Sequence, residues 1–297
     1  LHRGHQALIG RARARARELG LPLVVLSFEP LPREFFMAPE PPARLILPAA
    51  KIAGLQSLEV DVIGLLRFNP AMVAMAADDF VRAVLVAKLH AREVWVGPDF
   101  RFGHRRGGDV ALLQRMGAEL GFATHALPLV ENAGERVSST AVRAALAKGE
   151  LDRAAVLLGR PYAIPGRVVR GKQLGRTLGY PTANLRFGGK RPPMHGIFAT
   201  WVHGVGDRPM ASVSSLGTRP TVNGKEPLLE AHLFDFNGDL YGRRISVEFV
   251  AKLRDELKFD GLPALIEQMD RDSAEARAIL AGRASAGHPQ PVSLTTP

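Results

Sequence analysis

The chain has 297 residues, 46% hydrophobic and 23% charged, with a formal net charge of +10 and no cysteine. This composition is typical of a globular protein with a hydrophobic core, and the length allows one large domain or two ordinary ones. Disulfides and cysteine-ligated metals are excluded. No apolar run approaches the ~18 residues of a membrane helix, so we expect no membrane partner and a cytoplasmic location.

The positive charge favours anionic partners, which include nucleic acids and phosphorylated small molecules. Its densest cluster is the sequence RARARAR, which contains Arg11, Arg13, Arg15 and Arg17. At helical spacing these side chains fall on two faces rather than on one stripe, which is typical of an ordinary solvated helix. We therefore expect no nucleic-acid partner, and a basic nucleic-acid-binding protein is kept only as an alternative.

The first half of the chain alternates between helical and strand-like segments. A helix is predicted over 5–19, ended by Gly20 and Pro22. Strands are then predicted at 22–28, 60–68, 93–97 and 122–130, and helices at 48–57, 71–89 and 108–120. This alternation predicts a parallel α/β sheet with helices on both faces. Because no strand precedes the first helix, we expect that a central strand belongs upstream of Leu1.

The second half, from about residue 160, has a different pattern. Short β-type runs such as GIFATWVHGV and RRISVEFVAKLR are separated by Gly, Asn and Pro. This spacing predicts an antiparallel barrel or sandwich, followed by a helix over 262–281. The last residues have little to bury, which indicates a disordered tail. The predicted divisions of the chain are 1–159, 160–284 and 285–297.

The start of the first predicted helix carries two candidate phosphate-binding residues. His2 and His5 flank Gly4 there. A helix N-terminus attracts phosphate, and glycine permits a ligand to approach the backbone closely. The two imidazoles would stabilise charge on a phosphorus under attack. A frayed chain end with two solvated histidines explains the same pattern.

Two further segments of the first half carry polar residues at element ends. In RVSSTAVRAALAKGE, Ser138 or Ser139 can cap a helix, and Arg143 can reach an anion at its N-terminus. In DFRFG, Asp99 and Phe100 follow a predicted strand and can frame a flat heterocycle. An ordinary capped helix and a hydrophobic turn are the alternatives.

The segment GKQLGRTLGYPTANL is the most specific motif in the chain. Gly171 and Gly175 make a flexible loop in which Arg176 places a positive charge. In an extended segment Thr182 and Asn184 point the same way, and their oxygens are hard ligands suited to Mg²⁺ bound with nucleotide phosphates. A polar turn that enters a strand is the alternative.

A carboxylate completes the candidate residues of the second half. In the predicted strand EPLLEAHLFDF, Glu230, His232 and Phe234 share one face, and Leu229 and Leu233 share the other. A half-buried Glu230 could accept the proton of a substrate hydroxyl. A glutamate that faces solvent is the alternative.

These stretches resemble one known family in the same order. HRGHQALI, SFEPLPREFF, VGPDFRFGHRRGGD and VSSTAVRAAL resemble the FMN adenylyltransferase part of the bacterial bifunctional riboflavin kinase/FMN adenylyltransferases. GKQLGRTLGYPTAN, SLGTRPTVNG and LYGRRISVEFVAKLRDELKF resemble the riboflavin kinase part. The resemblance covers residues 1 to about 281. It implies an α/β Rossmann-like nucleotidyltransferase domain, then a small antiparallel β-barrel kinase domain with a C-terminal helix.

The resemblance also implies substrates and residue roles. The expected substrates are riboflavin, FMN and ATP, with Mg²⁺ as cofactor. The implied kinase residues are Glu230 as base, Thr182 and Asn184 at Mg²⁺ and the phosphates, and the loop residues Gly171, Gly175 and Arg176. The implied triphosphate-binding residues of the adenylyltransferase are His2, His5, Ser139, Thr140 and Arg143. The implied flavin contacts are Asp99, Phe100 and Arg254.

Two departures from the family pattern bear on these expectations. Ser215 stands where the family usually has Asn, a change that leaves the kinase prediction intact. Only the end of the family's opening motif is present. We therefore expect the chain to form FMN and to lose much or all FAD formation. The alternative is a monofunctional riboflavin kinase with a degenerate first domain.

Overall fold

The fold is described from a computed structural model, for residues 1–132, 134–171, 175, 178–221 and 224–284. The chain divides into two compact units. The first unit contains Leu1–Pro42 and Lys51–Val137, and the second contains Ala43–Ala50 and the chain from Ser138 onward. Each unit is described by itself.

The first unit contains the predicted alternation of helices and strands. Helix α1 (Arg3–Leu19) begins at His2 and ends at Gly20, which has a left-handed φ of 64°. The next elements are β1 (Val24–Glu29), α2 (Pro32–Phe36), α3 (Pro48–Gln56), whose first residues belong to the second unit, and β2 (Val62–Arg67). They are followed by α4 (Pro70–Ala74), α5 (Ala77–Phe80), β3 (Glu93–Val96), α6 (Val110–Leu120), β4 (Ala123–Ala126), β5 (Glu131–Asn132) and β6 (Glu135–Arg136).

The prediction of one helix over 71–89 is wrong. The chain is extended at Met75 and Ala76 between α4 and α5, and a π-helical segment, Val81–Val86, follows α5. His104 accounts for the interruption: its backbone N–H donates to the Met75 carbonyl (2.8 Å), and its Nδ1 donates to the Val73 carbonyl (2.9 Å). These carbonyls are bonded to a distant loop, so they do not continue a helical ladder.

The four main strands of the first unit form two parallel pairs, β1 with β2 and β3 with β4. Within the described residues these pairs are not hydrogen-bonded into one sheet. The first unit has two hydrophobic clusters, and each strand pair contributes to both. Val25 and Trp95 pack in the cluster that contains α1 residues, and Leu26 and Val96 pack in the other cluster. The α/β prediction is confirmed. The strand expected upstream of Leu1 stays a prediction.

The second unit is an antiparallel barrel. Helices α7 (Ser139–Lys148) and α8 (Leu151–Leu158) precede it. Its strands are β7 (Ala163–Arg167), β8 (Ala183–Arg186), β9 (Gly196–His203), β10 (Met210–Thr221), β11 (Gly224–Leu233) and β12 (Arg244–Arg254). They pair in the order β7-β12-β9-β10-β11-β8. The Val169 N–H donates to the Asn184 carbonyl (2.9 Å) and nearly closes the barrel, which confirms the predicted architecture.

The two faces of the barrel strands have different partners. Phe198, Leu216 and Leu229 are completely buried. The C-terminal helix α9 (Leu262–Ala284) packs Ala276 and Leu280 against another cluster, which contains Phe234, the residue directly after β11. Val213 of β10 packs against the same cluster and stands directly opposite His232, which shares the strand face of Glu230. Helix α9 therefore lies on the face that carries Glu230.

The predicted domain boundary at 159/160 stays a prediction. The compact units divide instead after Val137, so that α7 and α8 belong with the barrel. The predicted disordered tail, 285–297, lies outside the described residues.

Candidate active site

Glu230 stands in a row of polar residues across three barrel strands. In the antiparallel register it is directly opposite Asn184 of β8 on one side and Ser215 of β10 on the other. Directly opposed residues have Cβ atoms about 4.5–5.5 Å apart. Glu230 is half-buried, and its neighbours Leu229 and Ala231 are fully buried, which confirms the predicted strand face. The structure therefore brings the predicted base and a predicted metal ligand together.

The Asn184 side chain has one oriented amide group and one free oxygen. Its Nδ2 donates to the Thr182 carbonyl (3.0 Å) and, at 3.4 Å, to Thr182 Oγ1. Its Oδ1 is buried and has no hydrogen-bond partner within the described residues. A buried oxygen without a partner is costly unless a ligand satisfies it. This oxygen, with the Thr182 hydroxyl and the Glu230 carboxylate, is a donor set that fits Mg²⁺.

No group of three or more His, Cys, Asp or Glu side chains suitable for a metal occurs in the described part of the chain. A cation beside Asn184 and Thr182 would therefore need further oxygen ligands. Mg²⁺ ordinarily takes these from water and from substrate phosphates rather than from an all-protein cage. The site fits a metal that arrives with a nucleotide.

Two predicted loop glycines pack where a side chain would not fit. A Cβ on Gly171 would lie 2.8 Å from the amide atoms of Asn184. A Cβ on Gly175 would overlap the Tyr180 carbonyl oxygen, and the Tyr180 N–H donates to the Gly175 carbonyl (2.7 Å). Glycine therefore lets the backbone at these two positions lie against Tyr180 and the PTAN segment (residues 181–184). Arg176 lies outside the described residues.

Arg254, a predicted flavin contact, is held by an ion pair. Its Nε donates to Asp272 Oδ1 (2.9 Å) and its Nη2 to Asp272 Oδ2 (2.6 Å). Its Nη1 donates to the Asp255 carbonyl (2.9 Å), and the guanidinium lies over Phe259 at 5.9 Å from the ring centroid. The guanidinium is therefore fixed in orientation, and its flavin contact stays a prediction.

In the first unit, His2 and His5 form a stacked pair. Their ring centroids are 3.8 Å apart, and His2 Nδ1 accepts the N–H of His5 (3.4 Å). A Cβ on Gly4 would lie 3.1 Å from the His2 ring, so glycine gives that ring room. Both rings are crowded by protein atoms, although His5 keeps a solvent-exposed surface. Desolvation is the main cause that lowers the pKa of His5 to about 3 and that of His2 to about 4. Both rings are neutral near pH 7, and each can donate one N–H.

The remaining predicted triphosphate residues lie at the start of α7, in the second unit. Ser138 rather than Ser139 caps the helix, and its Oγ accepts the Ala141 N–H (3.1 Å). Arg143 donates from Nε to the Ala43 carbonyl (2.7 Å) and from Nη1 to the Ser139 carbonyl (3.3 Å). Thr140 is exposed. Because these residues and the histidines lie in different units, their joint role stays a prediction.

The predicted flavin loop of the first unit is partly exposed. Asp99 accepts from Arg136 Nη2 (2.6 Å), and Phe100 stacks on Phe102 with ring centroids 5.5 Å apart. A cavity of about 310 Å³ adjoins them; it is lined by Pro98, Asp99, Arg101, Arg106, Asp109, Val110 and Ala111. The charged lining suits a polar group, and a flavin there stays a prediction.

An aromatic cluster near the strand ends was missed as a candidate site. Phe28, Phe35, Phe36 and Phe68 meet with ring centroids 5.5–5.7 Å apart, and Phe36 is 63% exposed. Phe28 lies near the carboxyl end of β1 and Phe68 just beyond β2, where open α/β sheets bind their ligands. The signal in the sequence was the adjacent pair of phenylalanines in SFEPLPREFF, directly after a predicted strand.

Comparisons with known proteins agree with this division into two sites. The family model of FAD synthetase matches residues 1–141, and that of riboflavin kinase matches residues 158–280. The chain therefore has the two domains of a flavin-nucleotide-forming transferase. No helix of the described residues is long and apolar enough to cross a membrane.

Several similar proteins carry the name bifunctional riboflavin kinase/FMN adenylyltransferase, and three of them illustrate the match. The protein of Escherichia coli (strain K12) is 43% identical over 93% of this chain and 88% of its own length. The Haemophilus influenzae protein is 41% identical over 94% and 90%, and the Pseudomonas fluorescens protein is 45% identical over 95% and 90%. The chain belongs to the bifunctional riboflavin kinase/FMN adenylyltransferase family.

A solved structure supports the fold. The crystal structure described as a macrolide-efflux protein from Streptococcus pneumoniae has a TM-score of 0.75 and 30% identity to this chain. The match covers 93% of this chain and 90% of that one. Both units of the chain therefore have a counterpart in one solved molecule.

Proposed function

We propose that the part of the chain that matches the riboflavin kinase model, residues 158–280, phosphorylates riboflavin to FMN. The part that matches the FAD synthetase model, residues 1–141, adenylylates FMN to FAD with release of pyrophosphate, and both reactions use ATP. The two matching family models and the names of the relatives support this pair of reactions. A cytoplasmic location, where ATP is available, and the absence of nucleic-acid and membrane partners are part of the proposal.

In the kinase, Glu230 accepts the proton of the riboflavin 5′-hydroxyl as that oxygen attacks the γ-phosphorus of ATP and ADP leaves. Thr182 and Asn184 hold the metal and orient the phosphates beside the base. Mg²⁺, when bound, neutralises phosphate charge. The observation that carries this proposal is the register that sets Glu230 directly opposite Asn184, whose Oδ1 is buried without a partner.

In the adenylyltransferase, the phosphate of FMN attacks the α-phosphorus of ATP, and pyrophosphate leaves. The neutral rings of His2 and His5 each donate an N–H to phosphate oxygens, where negative charge develops. Ser139, Thr140 and Arg143 hold the triphosphate. Asp99 and Phe100 contact the flavin, and so does Arg254 in the kinase.

A product assay tests both reactions. The chain is incubated with riboflavin, ATP and Mg²⁺, and the flavins are separated by chromatography. We expect FMN from the unmodified chain and a loss of FMN formation of about 10²-fold or more in Glu230→Gln, because general-base catalysis contributes about that much. The control is Glu267→Gln, which changes an exposed glutamate of α9. Equal rates in the two variants would contradict the role of Glu230.

The same assay separates the two activities. With FMN as the starting flavin, Glu230→Gln is expected to form FAD at the unmodified rate, since Glu230 lies outside residues 1–141, which match the FAD synthetase model. The ratio of FAD to FMN made by the unmodified chain reports the relative rates of the two reactions. No FMN from riboflavin under any condition would overturn the kinase proposal.

A further inference from the structure

Asp272 of α9 is a buried carboxylate that orients an arginine at the end of β12. It is 3% exposed, and it accepts Nε and Nη2 of Arg254 in a bidentate arrangement. Gln268, one turn earlier on α9, donates to Asp272 Oδ1 (2.8 Å). A buried charged pair of this kind is costly to desolvate but strongly directional. The arrangement therefore determines where the guanidinium of Arg254 points.

The segment after Arg254 runs beside the polar row of the kinase site. Glu256 lies against Gly217 of β10 so closely that a Cβ on Gly217 would overlap its carboxylate. Gly217 is two residues beyond Ser215, which stands directly opposite Glu230. This segment, which begins at Arg254, therefore lies against the side of the barrel that carries Glu230.

Asp270, on the same turn of α9, contacts the other side of the site. It accepts the Tyr180 hydroxyl. Tyr180 directly precedes Pro181, whose carbonyl accepts Nδ1 of His232 (2.9 Å), and the rings of Tyr180 and His232 are 4.9 Å apart. His232 shares the strand face of Glu230. Asp270 is thus linked to the PTAN segment and to the strand of the base.

We propose that Asp270 and Asp272 are positioning residues of the kinase site, a role that rests on the proposed function. One turn of the packed helix α9 holds two parts of the site. Asp272 holds Arg254, and Asp270 holds Tyr180, which directly precedes the PTAN segment. The helix thereby sets the distance between the flavin side and the phosphate side of the site. Correct placement matters because errors of about 1 Å can reduce rates about 10²-fold.

The test compares steady-state FMN formation in single and double variants of the full chain. We expect Asp272→Asn to raise the KM for riboflavin about tenfold and to leave the KM for ATP unchanged, as for lost ground-state binding. Asp270→Asn and Tyr180→Phe should each lower kcat by a similar factor, and the double variant should be no worse than either single one.

The matched control is Asp152→Asn. Asp152 forms a bidentate ion pair with Arg283 of α9 (3.0 and 3.2 Å), so this change also removes a carboxylate partner of the helix. We expect unmodified kinetics. Thermal unfolding of every variant separates folding from positioning, because a purely structural role would lower the melting temperature without a selective change in KM or kcat.

The outcomes distinguish this inference from the proposed function. If the unmodified chain forms FMN and the Asp270 and Asp272 variants match Asp152→Asn, the positioning role is overturned and the kinase assignment stands. If the unmodified chain forms no FMN, both are overturned. If Asp272→Asn fails to fold, the exposed contact between Tyr180 and Asp270 still tests the role. A non-additive loss of kcat in Asp270→Asn and Tyr180→Phe supports the positioning role, and unchanged rates overturn it.

Discussion

A methyl group added at Gly171 should weaken the kinase site, because it would press on the side chain of Asn184. In Gly171→Ala the new Cβ would lie 2.8 Å from the amide atoms of Asn184, where ordinary contact begins near 3.4 Å. Asn184 is 5% exposed and is tied to the Thr182 carbonyl, so it has little room to retreat. Its side chain or the loop must shift by about half an ångström or more.

The expected cost is both thermodynamic and kinetic. Overpacking of this kind destabilises a protein by about 1–3 kcal/mol. A displaced Asn184 Oδ1 should lower kcat for FMN formation on the order of tenfold and raise the Mg²⁺ concentration needed for half-maximal rate. FAD formation from FMN should not change, since Gly171 lies outside residues 1–141, which match the FAD synthetase model.

The assay is the initial rate of FMN formation at a series of Mg²⁺ concentrations. The matched control is Gly206→Ala in the same unit, because a Cβ on Gly206 would have no atom within 4 Å. If Gly171→Ala and Gly206→Ala gave the same rate and the same Mg²⁺ dependence, the link between loop packing and the Asn184 oxygen would be refuted.

Three further predictions concern the metal, the histidine pair and a surface ion pair. Chelation of Mg²⁺ should abolish FMN formation, and in a Mg²⁺ titration Asn184→Asp should retain activity that Asn184→Leu loses, because only the former keeps an oxygen ligand. Desolvation of the ring and the neighbouring His2 lower the pKa of His5 to about 3, far below the ordinary 6.5, so the unfolded chain binds a proton first as the pH falls. The first unit should therefore lose stability from pH 6.5 towards pH 3, and thermal unfolding of His5→Gln should show a weaker pH dependence. Asp99→Asn, which breaks an exposed pair with Arg136, should change the free energy of unfolding by less than about 1 kcal/mol in a denaturant titration.

Local patterns in the sequence were sufficient to predict many of the elements and the face of each candidate strand. The alternation in EPLLEAHLFDF predicted that Glu230 lies on the opposite strand face from Leu229 and Ala231. The structure confirms this, because both apolar residues are fully buried and Glu230 is half-buried. The cap at Ser138 and the left-handed Gly149 bound α7 as expected. These features depend on residues close together in the chain, where side-chain periodicity and capping act directly.

Tertiary structure alone decided which distant residues meet. The predicted helix over 71–89 is interrupted because His104, about thirty residues later, takes the carbonyls of Val73 and Met75. Arg254 is oriented by Asp272, which no local motif joins to it. The opposition of Glu230 and Asn184 follows from the register of β11 against β8. A one-residue shift in that register would reverse the faces. The sequence by itself therefore determined the family, the elements and the residue types of the site, and non-local pairing determined its geometry.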